Sequence, residues 1–160
     1  MKKSVKNKEP KAVLSKTLGW TILTILVILD ASLDVIFAGG KGLESHILRP
    51  VADLFGINNP IFMTPLVFVI FYFAIKGGAW LAKKFDKVTI KAEELVLTTL
   101  VIVYGIFDLW LILFYVFDFR LIKNHYYLIP VLALAGIIYS WWAEKKLKSK
   151  TAAALSGQRH

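Results

Sequence analysis

The sequence predicts an all-α integral membrane protein, an antiparallel bundle of four transmembrane helices with a short interfacial amphipathic helix. Three observations predict it. Hydrophobic residues make up 57% of the 160 residues and mean hydropathy is +0.61, where soluble domains hold roughly 45 to 50% apolar residues. The apolar residues fall in runs long enough to cross a hydrocarbon core of about 30 Å. The basic residues behind the net charge of +9 gather at the ends of those runs. There they set orientation and meet anionic lipid headgroups, so membrane lipids are expected partners and nucleic acid is not.

Residues 1–16 carry Lys2, Lys3, Lys6, Lys8, Lys11 and Lys16 and read as a basic cytoplasmic tail. The first span is expected over 17–38, closed by Gly39-Gly40. It is too long for the apolar region of a signal peptide and is read as retained. Between spans, 42–56 repeat Leu43, Ile47, Val51, Leu54 and Phe55 at three- and four-residue spacing, the pattern of an amphipathic helix lying in the interface. Asn59-Pro60 then opens a second span over 60–82, Asn as cap and Pro in the first turn. Gly77, Gly78 and Ala79 suit close helix approach. A third span is expected over 92–117 and a fourth over 126–142, the latter with Ala133, Ala135 and Gly136 on a small-residue face. These spans make up a membrane domain over 17–143, and 144–160 read as a second basic tail.

Fifteen Lys and Arg lie on one side of this arrangement against four on the other, which puts both termini in the cytoplasm. Trp20, Trp80, Trp141 and Trp142 fall at the same boundary, and Tyr126 and Tyr127 at the opposite one.

Polar residues inside the spans are the functional candidates, because an aspartate at the centre of a membrane helix costs about 2.5 to 3.5 kcal/mol to insert. Asp30 and Asp34 share one face of the first span, one turn apart. At 1.5 Å per residue they lie ~20 and ~26 Å from the basic edge, and Asp108 of the third span lies ~24 Å from it. Three carboxylates can therefore share a level, with Tyr104, Ser32 and Thr64 as supporting polar groups. Such a level needs a hard cation, a shared proton, hydrogen bonds that only fix packing, or a neighbouring subunit. Lys76, the intramembrane cation, lies ~9 Å from the basic edge, and snorkelling to that edge is easier for it than reaching Asp30.

Other chemistry is sparse. The absence of cysteine excludes thiolate catalysis and cysteine-ligated zinc. Glu44, His46 and His125 share the non-basic side, yet no zinc-binding spacing links them. Glu93-Glu94 suit a helix N-terminus. No catalytic motif is present, and no cofactor is expected beyond a bound cation and lipids.

Leu29-Asp30 in the first span, the glycine exit, Asn59-Pro60 opening the second and Lys76 inside it resemble a group of small uncharacterised prokaryotic multi-span membrane proteins. The resemblance covers roughly the first half of the chain, implies a prokaryotic cell membrane and the same topology, and supplies no activity. The leading expectation is a non-catalytic membrane subunit that assembles with itself, as a homo-oligomer, or within a larger complex. The alternative is a small cation- or proton-translocating protein that uses Asp30, Asp34 and Asp108.

Overall fold

A computed structural model describes residues 12–41, 49–85, 88, 91–119 and 125–157. The described residues are all-helical, 86% in helix, with no strand among them. Helix α1 spans Lys16–Leu33 and runs into a π-helical turn over Asp34–Ala38. Ser15 caps its start by accepting from Leu18 N–H. At its end Gly39 N–H and Gly40 N–H converge on Asp34 O, with both glycines at positive φ, 66° and 80°. A side chain at either would be strained in that left-handed exit.

The short α2, Arg49–Phe55, is the described part of the expected interfacial helix. It exposes Leu54 and Phe55 and buries Ala52 against Met63. Residues 42–48, with Glu44 and His46, lie outside the described residues, as does the side chain of His125. A 3₁₀ turn over Pro60–Met63, capped by Asn59 Oδ1 accepting from Ile61 N–H at 2.9 Å, leads into α3, Thr64–Lys84. The cap and the first-turn proline are the start signal read from Asn59-Pro60. Helix α4 covers Ala92–Tyr115 and α5 covers Ile129–Gly157, the latter entered through a 3₁₀ turn at His125–Leu128.

Three of these segments are long and apolar enough to cross a membrane: Lys16–Ala38, Pro60–Lys84 and Ala92–Tyr115, of 23, 25 and 24 residues. Helix α5 differs from the fourth span expected over 126–142. Its apolar stretch ends at Trp142, ~21 Å from its start, and the helix continues through Glu144, Lys145 and Lys146 to Gly157. Much of the segment read as a basic tail is therefore helical. At the other tail, Ala12–Ser15 are docked: Leu14 N–H donates to Thr98 Oγ1 at 2.9 Å, and Tyr139 O–H donates to Ala12 O at 2.5 Å.

Helix α4 is the hub. Helices α1, α3 and α5 each pack chiefly on α4 and much less on one another. The largest pairing, α1 with α4, is parallel, as the matched levels of Lys16 with Glu93, Asp30 with Tyr104 and Phe37 with Tyr115 show. An alternating chain thus packs its first long helix on its third rather than on its sequence neighbour. Helices α3 and α5 lie antiparallel to α4, with Lys76 beside Glu93, Phe71 on Tyr104, and Ser140 beside Thr99.

Burial is concentrated toward the end of the helices that carries Lys16, Lys83, Lys84, Lys145 and Lys146, called here the basic end. One cluster there joins Ala79, Ala82, Val88, Ala92, Leu95, Ala143 and Leu147, and the next joins Leu23, Val27, Ile75, Leu97 and Val101. Toward the other end α3 is only partly buried, with Val67, Phe68 and Phe71 against the second cluster and Leu66 against Met63. None of residues 64–74 is buried, whereas Ile75, Ala79 and Ala82 are.

Close approach at the tight end depends on missing side chains. A Cβ on Gly19 would stand 2.6 Å from Leu97 Cδ2, and Leu97 is only 1% exposed, so it has little room to yield. A Cβ on Gly78 would meet Val96 at 3.0 Å, while Gly77 next to it faces open space. Gly19→Ala is therefore expected to lower stability by about 1 to 3 kcal/mol through overpacking. Gly77→Ala is expected to be neutral or stabilising by up to ~1 kcal/mol through helix propensity. Unfolding in mixed micelles followed by circular dichroism separates the two; equal effects would remove the helix contact as the cause.

Candidate functional site

The parallel register of α1 on α4 assembles the polar residues. Asp30 and Asp34 sit one turn apart on α1, and Tyr104 and Asp108 sit one turn apart on α4. The Tyr104 hydroxyl donates to Asp30 Oδ2 at 2.6 Å, bridging the helices. That is the short distance of a charge-assisted O–H···O⁻ bond.

Asp108 lies deeper. It is 1% exposed, and neither carboxyl oxygen has a hydrogen-bond partner among the described residues. Asp30 lies within electrostatic range of Asp108 on one side and of Asp34 on the other, so the acids repel through Asp30. An ionised carboxylate buried without a donor costs several kcal/mol. The arrangement calls for a neutralising proton or cation. Among the described residues, however, no three His, Cys, Asp or Glu side chains converge to hold a metal ion. A proton needs no such convergence.

Asp34 opens the π-helical turn and is half-buried. Rings flank the acids in a continuous series. Phe71 meets Tyr104 edge-on at 5.5 Å; Phe107, Trp110 and Phe114 follow along α4, and Tyr115 stacks on Phe37 at 5.8 Å. Trp110 Nε1 is a third buried polar atom with no hydrogen-bond partner among the described residues.

The other sequence candidates are engaged elsewhere. Ser32 Oγ donates to Ile28 O of its own helix at 2.7 Å, and Thr64 Oγ1 donates to Ile61 O at 2.6 Å in the turn before α3. Lys76 Nζ lies 2.7 Å from Glu93 Oε1, and Lys16 Nζ lies 2.8 Å from Glu93 Oε2. Lys76 therefore points to the basic end, away from Asp30. The sequence marks Glu93 only as a residue suited to a helix N-terminus. The available signal was depth: Lys76 and Glu93 are both within about two turns of the same edge on antiparallel neighbours.

Two substitutions should move stability in opposite directions. Tyr104→Phe removes the donor to Asp30 and is expected to cost about 1.5 to 3 kcal/mol, the range for hydrogen bonds to charged groups. Asp108→Asn replaces an ionisable group that has no hydrogen-bond partner among the described residues and is expected to hold or raise the unfolding midpoint. A loss from Asp108→Asn as large as that from Tyr104→Phe would mean that Asp108 has a donor in the membrane and is a packing residue.

No family model, no curated protein and no solved structure matches the chain.

Proposed function

We propose that the protein is a four-span integral membrane protein that carries protons at its intramembrane acids, with Asp108 as the principal carrier and Asp30, held by Tyr104, as its exchange partner. The observation that carries this reading is the fully buried Asp108 carboxyl, whose oxygens accept no hydrogen bond from a described residue and lie one turn from Tyr104, the donor to Asp30. Intramembrane acids so placed mark ion and proton pathways. A proton is favoured over a metal ion because the acids do not converge as ligands. Asp34 extends the acid series toward the glycine exit of α1.

In this reading α5 is the fourth span. Its apolar length is completed by the turn before Ile129 and by lysines that snorkel at the basic end, where Lys145 lies over the Trp141 ring at 5.6 Å and Lys146 over Trp142 at 4.2 Å. Lys84 lies over Trp80 at 4.7 Å in the same manner. Aromatic residues and lysines together mark an interface, so the basic end is assigned to the cytoplasm.

A second reading, a subunit that assembles with itself or a larger complex, draws on an open apolar groove of about 610 Å³ between α4 and α5. Val103, Leu132, Ala133, Gly136 and Trp141 line it. Small residues in such a groove suit a neighbouring helix or a lipid chain.

Proteoliposomes carrying an imposed pH gradient and a trapped pH-sensitive dye test the first reading. Flux above empty vesicles is expected from the intact protein, with loss of at least about tenfold in Asp108→Asn, equivalent to about 1.4 kcal/mol in the barrier. Intact protein with no flux, purifying in gentle detergent with stable additional subunits, would replace it with the second.

A further inference from the structure

We infer that Glu93 latches the basic end of the helices shut, and that the acid level is reached in this conformation from the opposite end. The inference concerns access to the site proposed above and rests on that reading for its importance, but not for its test.

The latch is built from three helices. Glu93, in the first turn of α4, holds Lys16 of α1 through one carboxylate oxygen and Lys76 of α3 through the other. Between this latch and the acids the space is filled. Leu23 and Leu97 are 0% and 1% exposed, and Val27, Ile75 and Val101 are buried around them. Gly19 and Gly78 bring α1 and α3 down onto Leu97 and Val96 at the same depth. Thr98 and Tyr139 add a second tie by holding the Ala12–Leu14 segment across the end of the helices.

The opposite half is put together differently. Over residues 64–74 of α3 no residue is fully buried: Val67, Phe68 and Phe71 pack partly against the Leu23 cluster and Leu66 against Met63, while Phe62 just before them and Val69, Ile70 and Phe73 are exposed. Asp30, Asp34 and Tyr115 are half-buried, and the end of α1 is wound as a π turn ahead of two left-handed glycines. The two large buried clusters and the ion-pair tie lie on one side of the acids, and on the other stand half-buried Asp30 and Asp34 and only the small Ala52–Met63 cluster, which is the asymmetry of a carrier open to one side. Breaking the tie removes a differential interaction that favours the closed basic end, so it shifts the population toward opening there.

The chain has no cysteine, so single-cysteine reporters need no background removal. Val101→Cys sits on α4 between Glu93 and Asp108, and Tyr115→Cys sits beyond Asp108. A membrane-impermeant thiol reagent is applied to proteoliposomes from either side. Val101→Cys is expected to resist labelling from both sides, and Tyr115→Cys to label from the side away from the termini. Adding Glu93→Gln, or Lys16→Gln with Lys76→Gln, should raise the Val101→Cys rate from the side of the termini by at least about tenfold. The inference is overturned if Val101→Cys labels as fast with the latch intact, if neither latch variant raises its rate while helix content is retained, or if Tyr115→Cys is closed to the far side. Failure of proton flux leaves these rates unchanged, so the two ideas fail separately.

Discussion

Gly19 lets α1 descend onto Leu97 of α4, and the register set by that contact propagates along the whole pair of helices. Because the two run parallel with equal rise, one fixed contact near the basic end also decides what meets farther along. Lys16 reaches Glu93, Asp30 reaches the Tyr104 hydroxyl, and Phe37 reaches Tyr115. A slip of one residue would turn each α1 side chain by about 100° and break all three meetings at once. In lipid, where apolar surface gains little by leaving its solvent, such close van der Waals packing and a few polar contacts hold helices together.

Polar groups at the two depths are treated differently. At the basic end, Glu93, Lys16 and Lys76 are paired, and the lysines beyond lie over tryptophan rings. Farther in, Tyr104 supplies a single hydroxyl to Asp30, while Asp108 is left without a donor among the described residues. Folded proteins satisfy the large majority of their buried polar atoms, so an exception inside a membrane-length helix calls for an explanation beyond packing.

Much of this was legible in the sequence, and the reasons for success and failure are physical. Helix starts, ends and approximate depths follow from apolar run length and rise per residue, which is why Asp30 and Asp108 were placed at one level and Tyr104 beside them. Asn59-Pro60 was readable as a start because the cap is a local hydrogen bond. Pairing between helices was not readable, since an up-down chain is compatible with several neighbours, and α1 prefers α4 for reasons that lie in Gly19 and Leu97 rather than in chain order. Glu93 was undervalued because its partners lie on two other helices. The hydroxyls of Ser32 and Thr64 turn back to the backbone just before them, as helix hydroxyls readily do, a local choice that residue type alone does not reveal. The π turn at Asp34 carries no mark in the sequence beyond the glycines that follow it.

That π turn has a mechanical consequence. Five residues, Asp34–Ala38, are wound with one more residue per hydrogen-bonded ring than the α-helix before them. Rewinding them as α would rotate the far end of α1 by roughly one residue, about 100°, and carry Phe37 off the Tyr115 ring while leaving Asp30 and everything toward the basic end in place. Such a rewinding would turn the chain about Asp34, changing what lies against the acids while leaving the Gly19–Leu97 contact that anchors the helices untouched.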